Sequence, residues 1–166
     1  MRVTLLGLGR TVYVIVAALL SATFLPRLGV PADRVPDLVL IGVAASAVLR
    51  GPVHGALLGL AAGWVVELVP PVGDPIGLTP LVLMAGGLLA GSFRRTSSNS
   101  FLRALGALAA ASVVVIAGRW AAAIVAEDGF APTEGLGQLV ATVVTALIVL
   151  PLLLAADGAL VRRRLG

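Results

Sequence analysis

The sequence predicts an all-α, polytopic membrane protein of six transmembrane helices, and three observations carry that prediction. Of its 166 residues 59% are apolar and only 12% are charged, and the mean hydropathy is +1.09. A soluble domain carries roughly 25% charged residues, so lipid is the solvent this composition suits. Apolar runs recur along the whole chain, broken by proline, glycine and charged residues. Finally, arginines and acids alternate between successive breaks.

The first predicted span covers about 11–25. It follows Arg2 and Arg10, as a signal peptide would, but later spans of similar hydrophobicity favour an uncleaved helix. Ala17, Ala18, Ser21 and Ala22 give it small faces suited to another helix. Pro26, Gly29, Pro31 and Pro36 mark a loop. A short second span covers about 37–49 and ends at Arg50-Gly51-Pro52. The third, about 53–69, stops at Pro70-Pro71, and the fourth covers about 76–93. A polar stretch from Arg94 to Ser100 precedes the fifth, about 104–126. An acidic loop precedes the sixth, about 136–160, and Arg162, Arg163 and Arg164 follow. On this reading the spans fill residues 1–166 as a single transmembrane domain. Several runs are shorter than the ~20 residues that cross hydrocarbon, so a re-entrant hairpin of the second and third is an alternative.

Charge selects an orientation. With the N-terminus in the cytoplasm, Arg2, Arg10, Arg50, Arg94, Arg95, Arg103, Arg162, Arg163 and Arg164 lie inside, and only Arg27 and Arg34 lie in outer loops. Asp33, Asp37, Asp74, Glu127, Asp128 and Glu134 fall at the outer side. This positive-inside bias puts both termini in the cytoplasm. A hairpin that moved Arg50 outward would work against it. The same argument assigns the basic character to membrane orientation and gives no reason to expect nucleic acid as a partner.

The residue inventory excludes much chemistry. There is no cysteine, hence no disulfide and no thiolate catalysis or cysteine metal site. With one histidine, His54, a multi-histidine metal site is impossible within the chain. No phosphate-binding glycine loop, serine–histidine–acid set or pair of intramembrane carboxylates stands out. No catalytic residue, metal or cofactor is expected.

The clearest pattern is Gly55-x3-Gly59-x3-Gly63-x3-Glu67. Residues four apart share a helix face, so these glycines form a groove where helix backbones approach closely in lipid. Either the groove positions Glu67, or Glu67 reaches for the outer interface. Gly87-x3-Gly91, on the fourth span beside Gly86, forms a second groove. Pro75-x-Gly77 opens that span, where proline is tolerated, and Pro80 is placed to kink it. Arg119, inside the fifth span beside Trp120, is costly in lipid. It either pairs with Glu67 or an outer aspartate, or extends to the headgroups. His54 reads as interfacial and Asp157 as a partner for nearby arginines. The candidate outer polar set is therefore Asp37, Glu67, Asp74 and Arg119.

The order of these features from Pro36 to Arg95 resembles the rod shape-determining MreD family. The matching residues are Pro36-Asp37, Arg50-Gly51-Pro52, Gly55, Gly59 and Gly63, Glu67, Pro75-x-Gly77, and Gly87-x3-Gly91-x-x-Arg94-Arg95. The family more often has Asp at the position of Glu67, and often an aromatic where this chain has Leu88. The resemblance implies a six-helix fold similar to the substrate-binding subunits of energy-coupling-factor transporters. It also implies a non-enzymatic scaffold of the cell-elongation complex in the cell membrane, regulating peptidoglycan synthesis. Such a scaffold binds the single-span protein MreC and links MreB filaments to a SEDS glycosyltransferase and a class B penicillin-binding protein. The alternative is a vitamin-binding subunit of an energy-coupling-factor transporter, with Asp37, Glu67, Asp74, Thr79, Arg119 and Trp120 as polar candidates for its pocket. An ion-coupled transporter has the weakest basis.

Overall fold

The computed structural model describes residues 12–13, 16–17, 20, 35–68, 76–93, 101–125 and 132–162, which are all-helical with no strand. Five helices follow one another: α1 (Leu38–Arg50), α2 (Pro52–Glu67), α3 (Leu78–Ser92), α4 (Phe101–Val125) and α5 (Pro132–Arg162). They correspond to the second to sixth apolar runs, with boundaries within a few residues of those expected. Of the first run, Val12, Tyr13, Val16, Ala17 and Leu20 are helical, and the rest lies outside the described residues.

α1 is apolar on every side, and a helix of that kind belongs in the interior. Val39 through Ala47 are all buried, and α1 packs against each of α2 to α5. Its start is set by Asp37, whose carboxylate accepts the Leu40 N–H at 2.9 Å. That satisfies one of the orphan donors of the first turn. Its end is set by Gly51, at φ 103°, a left-handed conformation that glycine adopts without penalty. Pro52 then begins α2 at the first helical position, where a missing N–H costs nothing. A single residue thus reverses the chain between two helices.

α2 and α3 are antiparallel neighbours, and α4 and α5 complete an up-and-down array around α1. The interior is built largely from small side chains. Ala44, Ala47, Ala90, Ala107, Ala111 and Ala146 are fully buried between larger Leu40, Ile41, Leu83, Leu108 and Leu150. Pro80 lies in the first turn of α3 and is buried, so it forfeits no intrahelical bond. The expectation that it sits deep enough to kink the helix is not met. Among the described residues the proline beyond a helix's first turn is Pro151 of α5, which leaves the Leu147 carbonyl without its usual donor.

Among the described residues two helices, not six, are long and apolar enough to cross a membrane on their own. These segments are Phe101–Ala121, with mean hydropathy 2.0, and Gly135–Leu153, with 2.3. α1, α2 and α3 have 13, 16 and 15 residues. At 1.5 Å per residue they reach only about 20–24 Å, against about 30 Å of hydrocarbon. Most of the large exposed side chains among the described residues are apolar: Val53, Leu57, Leu102, Ile124, Leu136, Ile148 and Leu152 all face outward.

Candidate functional site

The two glycine patterns meet in one seam. A Cβ added at Gly55 would collide with the Gly87 carbonyl oxygen and stand 2.5 Å from the Ala47 Cβ. One at Gly59 would stand 2.7 Å from the Leu83 carbonyl carbon, and one at Gly63 would stand 2.6 Å from the Pro80 nitrogen. In the reverse direction, a Cβ at Gly87 would stand 2.7 Å from the Gly55 carbonyl carbon, and one at Gly91 would stand 2.6 Å from the Gly51 carbonyl carbon. The partners run in opposite directions along the helices, 55 with 87, 59 with 83, 63 with 80. α2 and α3 therefore lie backbone to backbone over most of their length. Only glycine permits that approach, because any Cβ occupies the space of the facing main chain.

Glu67 closes the open end of this hairpin. It is only 6% exposed, and its Oε1 accepts the Gly77 N–H at 2.8 Å. Gly77, at φ 93°, is the N-cap of α3, so the carboxylate stands where the helix dipole favours negative charge. The same bond explains Pro75-x-Gly77, since a left-handed residue here turns its N–H toward the end of α2. Glu67 therefore does not extend to the interface, and it does not pair with Arg119. Asp74, also a candidate, lies outside the described residues.

Arg119 is held at a second junction, between α1, α4 and α5. Its Nη2 donates to Asp37 Oδ2 at 3.3 Å, and its Nη1 donates to Gln138 Oε1 at 3.1 Å. The Asp37 N–H donates to the Thr142 hydroxyl at 3.0 Å, and that hydroxyl donates to the Gln138 carbonyl at 2.8 Å. Asp37 thus serves twice, as the cap of α1 and as the partner of Arg119. The guanidinium side chain is 33% exposed and the Asp37 side chain 11%. Of the expected partners for Arg119, an outer aspartate is the one the structure supplies. Close by, the Tyr13 hydroxyl donates to the Leu38 carbonyl at 3.1 Å, and its ring covers the face of Gly42.

Gln138, Thr142 and Tyr13 were not among the residues singled out from sequence. The available signal for the first two is their spacing: four apart, they share one face of an otherwise apolar helix. Asp37, Glu67, Gly77, Arg119, Gln138 and Thr142 all lie at one end of the array. Arg50, ending α1, and Arg103, beginning α4, lie at the other. The described acids and arginines are largely segregated by this topology, with two exceptions: Arg119, which has an acid beside it, and Asp157, near the C-terminal end of α5 on the arginine side. No family model, curated protein or solved structure matches the chain.

Proposed function

We propose that the chain is a non-enzymatic membrane scaffold of the MreD type, a subunit of the cell-elongation complex that joins an MreC-like single-span protein to peptidoglycan synthesis. The observation that carries this reading is the common seam of the motif residues. Gly55, Gly59 and Gly63 lie against the helix that carries Gly87 and Gly91, and Glu67 is bonded to Gly77 of Pro75-x-Gly77. Motifs whose order in the chain carries the resemblance thus act together as one rigid hairpin. The exposed faces of α4 and α5 are apolar, as faces that meet lipid or another membrane helix must be.

The proposed placement is multi-pass in the cell membrane, with both termini cytoplasmic and the Asp37–Arg119 end outward. In that frame MreB lies on the cytoplasmic side, while the glycosyltransferase and penicillin-binding protein are reached through the membrane and outer side. The three short helices are accommodated by local thinning and by their neighbours. Fusing reporters to each terminus and to the 69–75 loop tests the placement: cytoplasmic signals from the ends and an external signal from the loop are expected. Co-purification from native membranes tests the scaffold. Capture of a single-span, MreC-like protein is expected, and its absence in a detergent that preserves membrane complexes would remove the reading.

A further inference from the structure

From the bonding left open at Arg119, we infer that the α1–α4–α5 junction binds the phosphate of a membrane phospholipid, seated on the guanidinium with its chains along the exposed faces of α4 and α5. The inference rests on the membrane placement proposed above and is independent of the scaffold's partner.

Three observations converge. First, Arg119 makes one bond to a carboxylate oxygen and one to an amide oxygen, although a guanidinium offers five N–H donors in a rigid fork. The contact with Asp37 is one-armed, where a paired arginine and carboxylate often make two parallel bonds. Among the described residues nothing accepts from the Nε–H or from the second hydrogens of Nη1 and Nη2, on a side chain that is one-third exposed. Second, Asp37 divides its carboxylate between two partners. Its Oδ1 is committed to the first turn of α1, and only its Oδ2 faces Arg119, so the carboxylate does not enclose the guanidinium. Third, Arg119 lies in the last two turns of α4 (Phe101–Val125), and Trp120 beside it, a residue type that gathers where helices meet headgroups, is 38% exposed.

Hydrocarbon offers no acceptor for the leftover donors, and leaving them unmet is costly. A phosphodiester at headgroup depth supplies acceptors of the right geometry and charge, and arginine matches phosphate in a planar, two-armed fashion. The flanking surface suits the rest of the molecule: Trp120 and Ile124 on α4, and Leu136 and Val140 on α5, are exposed and apolar.

The test uses the full chain, purified in mild detergent and stripped of loose lipid, then titrated with phosphatidylglycerol. Binding is read by native mass spectrometry and by thermal unfolding. One retained or readily regained phospholipid and a raised Tm are expected for the wild type. Arg119→Gln should weaken retention roughly tenfold or more, the cost of a charge-assisted bond. Because that variant also leaves Asp37 without its partner, Asp37→Asn supplies the second arm. It keeps an N-cap and frees another N–H of Arg119, so phospholipid retention should persist or strengthen. Equal retention in Arg119→Gln and wild type, or loss of retention in Asp37→Asn, would overturn the inference. So would an equal Tm rise with inorganic phosphate, which would make the site one for the free anion. Failure of the chain to partition into membranes at all would instead strike the placement on which the inference rests.

Discussion

Asp37 carries two duties on one carboxylate, and they separate by substitution. Oδ1 caps α1 and Oδ2 holds Arg119. Asn caps a helix about as well as Asp but brings no charge, whereas Ala does neither. We expect Asp37→Ala to lower stability by about 1 kcal/mol more than Asp37→Asn, the usual worth of a cap. Thermal unfolding of the two variants in detergent checks this. Glu67 is simpler, because its Oε1 is the acceptor for a part-buried Gly77 N–H. Glu67→Ala leaves that donor unmet, at about 1–3 kcal/mol, and should lower the midpoint of unfolding. If the Ala variant is as stable as wild type, water or another acceptor has replaced the carboxylate.

At the scale of elements, the α2–α3 hairpin inverts an ordinary helix rule. Glycine within a helix normally costs about 0.5–1 kcal/mol relative to alanine. Gly106 of α4 has nothing within 4 Å of an added Cβ, so Gly106→Ala should be neutral or stabilising by that amount. Gly59→Ala places its Cβ into the Leu83 carbonyl, and the helices must separate. Overpacking of this kind costs about 1–3 kcal/mol. The two variants should therefore shift thermal stability in opposite directions, and two equal, small shifts would mean that α3 gives way easily.

These two stripes also show what was legible beforehand. A spacing of four on a helix is local information, so Gly55, Gly59, Gly63, Gly87 and Gly91 stood out as faces before any fold was known. What each face touches is not local. That the two grooves form one seam depends on the reversal after Glu67, which the prolines hinted at without giving its geometry. The partner of Arg119 lies 82 positions away at Asp37, and Thr142 lies 105 positions from the N–H it accepts. Periodicity carries no record of such distances, and two polar residues in a long apolar run look incidental. The helix positions themselves were legible because proline, glycine and arginine punctuate them. Spanning length was not legible in the same way, since α1, α2 and α3 are apolar enough but short.

In the whole molecule, α5 is the helix whose attachment depends most on polar contacts. Its inner face gives Thr142, Ala146 and Leu150 to the interior, while Leu136, Val140, Val144, Leu147, Ile148 and Leu152 face outward. In the proposed membrane placement an apolar outer face does not press a helix onto its neighbours, and association relies on packing and hydrogen bonds. The bonds from Thr142 and Gln138 to α1 and α4 are therefore a large share of what fixes α5. Thr142→Val keeps the shape and removes the acceptor for the Asp37 N–H. We expect α5 amides to exchange faster in that variant while the α2–α3 hairpin stays protected, a regional loosening that hydrogen exchange resolves. Uniform exchange changes across all helices would show instead that the array unfolds as one unit.

In the proposed membrane placement, the one-residue turn at Gly51 bears on how the chain enters a bilayer during synthesis. α1 and α2 are each too short to cross alone, and Gly51 at φ 103° allows no slack between them. On that placement the insertion machinery would meet them as a single folded pair, with α1 committed only once α2 has been made. Nascent chains arrested just after Arg50 should remain extractable, while those arrested beyond the end of α2 should resist extraction. Gly51→Val, which forces a β-branched residue into a positive-φ, extended conformation open essentially to glycine at about 1–3 kcal/mol, should lower the amount of membrane-inserted protein rather than produce an inserted protein with altered contacts.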